Sequence, residues 1–245
     1  MVNSQWPEWY SLQAYAPVPY NQGQLGSCTA NAICGVLKML DPARGTAATF
    51  EPSRLWVYSQ EELKEDPGQP IEDRGADAAD GCMVINQMGV CSEALMPYTM
   101  DAEGNVTDFG QEPSAAAVAD AAEHKYPLFQ NVPVELANVR HLVSQGEPVL
   151  LAFLVYPSFE SQAVEESGQM PMPSEEEVAA GPIGGHEVVV IGYNATSLLV
   201  LNSWGASWGN AGLFEMPNQY LSGVAADGSP FVQQLLVLGQ VPAHG

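Results

Sequence analysis

Cys28 is the residue from which chemistry can be argued first. It follows Gly26-Ser27 and opens the apolar run CTANAICGVLKML, residues 28–40. A helix N-terminus presents unpaired N–H groups and a partial positive charge, and both favour thiolate, the nucleophilic form of cysteine. Taken alone, a cysteine so placed is more often a small, inert core residue. Three other residues could join it. His186 follows Gly184-Gly185 at the head of an apolar run, Asn202 precedes Ser203-Trp204-Gly205, and Gln22 lies six residues before Cys28. Each by itself has a plainer reading: a satisfied structural histidine, a turn residue, a solvated amide. Their coincidence favours the chemical one. His124 in an acidic loop, His141 on a surface helix and His244 in the tail have no comparable setting.

Those groups need elements to position them. Residues 1–27 read as an extended arm ending in a glycine-bearing loop. Ala30, Ile33, Cys34, Leu37 and Leu40 follow the 3.6-residue period, with Ala32, Val36 and Met39 on the other side. This predicts a mostly buried helix, stopped by Asp41-Pro42. Further helices are expected at Leu55–Leu63 and Ala78–Met88, the latter ended by Gly89, with a turn or two at Ala115–Ala122. After about Lys125 the pattern becomes β-like. The segments 148–156, 186–194, 197–204, 212–217 and 231–239 read as strands, and Val134–Ser144 as the one helix among them. Helices first and strands afterwards predict an α+β protein with two subdomains. Ser161–Gly185 is acidic and proline-bearing, either a functional loop or a surface excursion.

Three segments then carry a resemblance. Asn21–Cys28 reads NQGQLGSC, Gly184–Tyr193 reads GGHEVVVIGY, and Asn202–Gly212 reads NSWGASWGNAG. In the same order they resemble the NQGxxGSC, GGHxVxxxGY and NSWGxSWGxxG of papain-like cysteine peptidases. GVCSEALMPY (89–98), GEPVLLAFLVYPSF (146–159) and MPMP (170–173) fit the shorter bacterial and viral members more weakly. The resemblance implies one papain-like catalytic domain over 1–245. Its helical subdomain would span about 28–115, and its antiparallel, barrel-like β subdomain about 1–27 and 116–245, with the active-site cleft between them.

Roles follow from the resemblance. Cys28 would be the nucleophile that carries an acyl thioester, and His186 its imidazolium partner and proton donor to the leaving amine. Asn202 would accept from the far ring N–H of His186. Gln22 and the Cys28 backbone N–H would form an oxyanion hole, a donor of that kind being worth about 10²–10³ in kcat. Trp204 would shield the His186–Asn202 contact. Gly75-Ala76 would clamp the substrate backbone, with Gly185 and Trp204 also lining the groove. No metal or cofactor is implied, and the partner is a peptide or protein substrate.

The chain also departs from the family. Leu25 stands where many members have a cysteine bridging to the helical subdomain, Thr29 replaces a Trp, and Ala76 adds a Cβ to the clamp. Cys82 and Cys91 are separated by a helix of about 13 Å, too far to bridge. Glu187 follows His186 where small apolar residues are common. By strand alternation it points away from the face of His186, Val188 and Val190, and reads as non-catalytic. The 27 residues before Cys28 leave no room for an inhibitory pro-segment, so Ser161–Gly185 becomes a candidate to overhang the cleft. A transpeptidase or other acyltransferase, and a non-catalytic binding or structural protein on the same fold, stay open as alternatives.

Composition excludes other partners. The chain has 245 residues, 46% of them hydrophobic and 15% charged, enough to bury a core. Twenty-nine Asp plus Glu against seven Lys plus Arg give a formal charge of −22. Nucleic acid and anionic membrane surfaces both require the cations that this chain lacks. A cationic peptide suits it better. Neither a signal peptide nor a membrane-spanning run is expected, and a reduced, cytoplasmic setting fits four unpaired cysteines.

Overall fold

The periodic run that begins at Cys28 folds as helix α1 (Cys28–Ala43), burying Ile33, Val36, Leu37 and Leu40. The computed structural model in which it is seen describes residues 6–43, 50–127 and 129–239. The helix continues through Asp41-Pro42 instead of stopping there. Pro42 lies in the final turn, where its missing N–H removes one ladder bond but leaves the rest of the helix intact. Helix α2 (Arg54–Glu65) is capped by the Ser53 hydroxyl, which accepts from the Trp56 N–H. Helix α3 (Ala78–Gln87) is capped by the Asp77 carboxylate, which accepts from the Ala79 N–H. Both caps satisfy donors that the helix itself cannot. These three helices pack on one another around Ile33, Trp56, Tyr58 and Ile85. Helix α4 (Ala115–Glu123) is slightly longer than its sequence suggested.

The apolar runs after residue 125 form one antiparallel sheet. Strands β1 (Tyr10–Ser11), β2 (Phe129–Asn131), β3 (Val149–Val155), β4 (Gly184–Tyr193), β5 (Ser197–Leu201), β6 (Leu213–Pro217) and β7 (Val232–Leu238) take the order β2-β7-β3-β4-β5-β6. Strand β1, from the N-terminal arm, pairs with β4 beyond the end of β3. Helix α5 (Leu136–Ser144) packs on β1, β3 and β4. The ladder between β3 and β4 sets Phe153 opposite His186 and Ala152 opposite Glu187, and Ala152 also faces Gln234 of β7. Opposed residues share a face of the sheet. His186 and Phe153 therefore lie on one face, and Ala152, Glu187 and Gln234 on the other. The second face looks toward α1, since Val189, two residues beyond Glu187, lies against Gly35 of that helix.

The insertion before β4 does not overhang the cleft. It folds into α6 (Gln162–Ser167) and α7 (Glu175–Ala180), the latter with a Ser174–Glu177 capping box. Backbone bonds from Met170 to Glu215 and from Glu215 to Gly168 lay it along β6. None of residues 161–184 lines the cleft described below. An uncovered β6 would present unpaired backbone groups, and this segment supplies their partners.

Candidate active site

The loop before α1 is built around a turn that only glycine fits. Gly23 has φ of 60°, and a Cβ there would collide with the Gly104 carbonyl. The turn points the backbone of Gln22 at the sheet side, where its N–H donates to the Ser203 carbonyl (2.9 Å). The Ser203 hydroxyl donates to Gln22 Oε1 (2.6 Å), and Gln22 Nε2 donates to the Leu25 carbonyl (3.0 Å). The carboxamide is thus fixed with one of its two N–H groups uncommitted, beside a cleft that Gln22 lines.

A second relay holds the loop from the helical side. Asn31 Nδ2 donates to the Ser27 hydroxyl (3.0 Å), which is 2.6 Å from the Tyr98 hydroxyl, and Tyr98 donates to the Gln22 carbonyl (2.9 Å). The Arg54 guanidinium lies over the Tyr98 ring at 4.1 Å and donates to the Asn21 carbonyl. Asp73 accepts from the Gly26 N–H through both oxygens (3.0 and 3.2 Å) and from the Tyr58 hydroxyl (2.5 Å). The Tyr58 oxygen in turn accepts from the Gly75 N–H (3.1 Å). The nucleophile loop and the Gly75-Ala76 segment are therefore tied to one another.

Cys28 is the first residue of α1 and is half-buried, whereas Cys34, Cys82 and Cys91 are fully buried; all four are free. Burial pushes the Cys28 thiol up to about 11, and the Glu187 and Glu61 carboxylates push in the same direction. Backbone N–H groups of Glu187 and Thr29, aimed at the sulfur, act against this.

His186 is buried, and its Nε2–H donates to Asn202 Oδ1 at 2.8 Å. The same oxygen accepts from the Ser203 N–H (2.9 Å), which fixes the carboxamide with its oxygen toward the ring. Asn202 Nδ2 is buried with no partner among the described residues. Trp204 stacks on the imidazole with ring centroids 5.0 Å apart, and Phe153 meets it edge-on at 5.8 Å. This enclosure lowers the His186 pKa to about 4, with the Asn202 bond opposing the shift.

Cys28 and His186 line one cleft of roughly 1000 Å³ between the helical wall and the sheet. Gln22, Gly75, Ala76, Gly185 and Trp204 line it too, and Asn202 sits behind His186. Every residue singled out from the sequence is thereby gathered at one place. Among the described residues, no cluster of His, Cys, Asp or Glu is arranged to hold a metal ion, and no helix is long and apolar enough to cross a membrane.

A thiol at a helix start, an imidazole held by a carboxamide, and a cleft between helices and an antiparallel sheet define a thiol–imidazole site on an α+β scaffold. The model of the papain family cysteine proteases matches residues 9–229, and the chain belongs to that family. It is 32% identical over 212 residues to an uncharacterised peptidase C1-like protein of Acanthamoeba polyphaga mimivirus, covering 82% of this chain and 65% of that protein. Among solved structures it is similar to xylellain, a cysteine protease from Xylella fastidiosa, with TM-score 0.81 and 27% identity over 97% of this chain and 87% of xylellain. Bromelain from Ananas comosus, at 17% identity, shares the fold with TM-score 0.65 over 95% of this chain and 98% of its own. The fold is papain-like.

Sequence reasoning missed the supporting residues. Tyr98, Arg54, Tyr58 and Asp73 act through contacts 15–76 residues apart, and no local pattern announces them. Thr29, noted only as a departure, donates its hydroxyl to the buried Glu61 carboxylate (2.8 Å). Glu187 does point away from the His186 face, yet it too lines the cleft.

Proposed function

We propose that this chain is a cysteine peptidase that cleaves peptide bonds through a thioester on Cys28. The Cys28 sulfur attacks the carbonyl carbon while His186 Nδ1 takes the thiol proton and delivers it to the leaving amine. The oxyanion is met by the Cys28 N–H and the free N–H of Gln22, and water then hydrolyses the thioester. Gly75 and Ala76 hold the extended substrate backbone, and Gly185 and Trp204 complete the groove. Helical wall and sheet work as one catalytic unit. The observation that carries this reading is the 2.8 Å bond from His186 Nε2 to Asn202. It commits one ring nitrogen to orientation and leaves Nδ1 as the one available to the cleft that also holds Cys28.

A diverse peptide library incubated with the wild type and with Cys28→Ala tests the proposal. Cleavage by the first alone supports it, and cleavage by neither or by both overturns it. Selective alkylation of Cys28 is not sufficient support, since the other three thiols are shielded by burial alone. A large fall in the Cys28 alkylation rate in His186→Ala is the informative result. An added amine acceptor shows whether the thioester passes to water or to the amine.

A further inference from the structure

We propose that Glu187 forms the floor of a subsite in this cleft that takes the cationic side chain of a substrate lysine or arginine, an inference that rests on the peptidase reading above. Five carboxylates line the cleft: Glu65, Asp73, Asp77, Asp80 and Glu187. Four are already engaged. Asp73 accepts from Gly26 and Tyr58, Asp77 caps α3, Glu65 accepts from the Asp77 N–H, and Asp80 pairs with Lys64 at 2.8 Å. Glu187 is different. It is 4% exposed, and among the described residues no N–H or O–H donates to its carboxylate and no cation pairs with it. Arg74 is the one cation lining the cleft, and it is taken by Glu62, Asp66 and Glu72.

Glu61 is a second buried carboxylate, close enough to interact electrostatically with the first. Its Oε2 accepts from Thr29, and its Oε1 has no partner among the described residues. Gly81 of α3 makes room for it, because a Cβ there would collide with Oε1. A helical glycine costs about 0.5–1 kcal/mol relative to alanine. Burial and the neighbouring Asp77 hold Glu187 well above the usual carboxylate range, and Glu187 in turn helps to hold Glu61 there. Glu187, with no donor, and Glu61, with one oxygen unpartnered, are together well matched to an ammonium or guanidinium group.

The position fits a side chain close to the bond being cleaved. Glu187 directly follows His186 and lines the cleft that holds Cys28, while its side chain stands on the opposite face of β4 from His186. The walls are small or flexible: Ala152 and Gln234 beside it on the sheet, Ala76 and Ala78 across the cleft. An arginine or lysine within two residues of the scissile bond can therefore reach the carboxylate.

Matched peptides that differ only in arginine against citrulline, placed in turn at the two positions on either side of the cleaved bond, test this. The pair keeps shape and removes charge. At one position the wild type should favour arginine by about 10–100-fold in kcat/KM, the range of a charge-assisted hydrogen bond. Glu187→Gln should bring the ratio to about 1. A contact of this kind persists in about 0.5 M salt, which screens the general field of the molecule. A wild-type ratio near 1 at every position, or a ratio unchanged in Glu187→Gln, overturns the proposal. If the wild type cleaves nothing, the peptidase reading fails, and calorimetric binding to Cys28→Ala decides the subsite separately. There the arginine peptide should bind at least tenfold tighter, and adding Glu187→Gln should abolish the difference; equal binding overturns the subsite. Should Glu187→Gln not fold, Glu187→Met, similar in volume and uncharged, takes its place.

Discussion

Burial acts on Cys28 and His186 in opposite directions, raising the thiol to about 11 and lowering the imidazole to about 4. Between those limits the pair carries one proton. Its division between sulfur and nitrogen is independent of pH, because both arrangements hold the same number of protons. Where His186 takes the Cys28 proton, as proposed above, and the thiolate–imidazolium arrangement is the reactive one, alkylation of Cys28 by iodoacetamide should be flat across the neutral range, falling only as pH drops toward about 4. An isolated thiol would instead gain about tenfold per pH unit up to its ordinary pKa. Should the wild type show that climb with no plateau, His186 does not share the Cys28 proton. Asn202 belongs to the same argument. Its oxygen is the one group opposing the low His186 pKa, so Asn202→Ala should lower kcat by about 10–100-fold, as expected for a hydrogen bond to a charged group. The same variant should displace the acid edge of the alkylation plateau further down, an effect that a purely structural role would not produce.

At the scale of elements, the site depends on ties between segments more than on any one helix or strand. The Asp73 carboxylate joins the Gly26 N–H to Tyr58 and, through it, to Gly75. This tie sits next to Leu25, where many relatives place a disulfide to the helical side, and it pins the loop without covalent chemistry. Asp73 is exposed, so the tie is worth about 1 kcal/mol. Asp73→Ala should lower Tm by about 2–4 °C and reduce kcat by less than tenfold; unchanged values of both would show that the loop is held elsewhere. Such ties explain what was legible in the sequence. The helix at 28 and the strands at 149 and 184 were visible because apolar periodicity is local. Cys28, His186, Asn202 and Gln22 were visible because the glycines and tryptophans around them form recognisable segments. Tyr98 and Asp73 act across 76 and 47 residues, and a pattern read along the chain carries no trace of such closures. Pro42 misled for a related reason: a breaker signal is correct about the lost bond, but the packing of the turns before it decides where the helix ends.

For the whole molecule, the formal charge of −22 and the buried carboxyls make stability a function of pH with a definite sign. Glu61 and Glu187 are held well above their ordinary value of 4.5 by burial. Folding therefore favours their protonated forms, a contribution complete at low pH and lost as pH rises through the raised values. His186 works the other way. Its folded pKa lies below the ordinary 6.5, so its contribution is complete above 6.5 and lost as pH falls toward about 4. Repulsion among the surface carboxylates adds to the alkaline loss and is weakened by salt. Tm should accordingly peak in the mildly acidic range, around pH 5–6 by this linkage, and decline toward pH 8, less steeply in about 0.5 M salt than at low ionic strength. Glu61→Gln separates the buried contribution from the surface one. It keeps an oxygen to accept from Thr29 and cannot ionise, so its Tm should exceed that of the wild type at pH 8 and converge with it near pH 5, at either salt concentration. Salt alone removing the alkaline decline, with Glu61→Gln behaving as the wild type, would place the whole effect at the surface and show that Glu61 is accommodated as a charge.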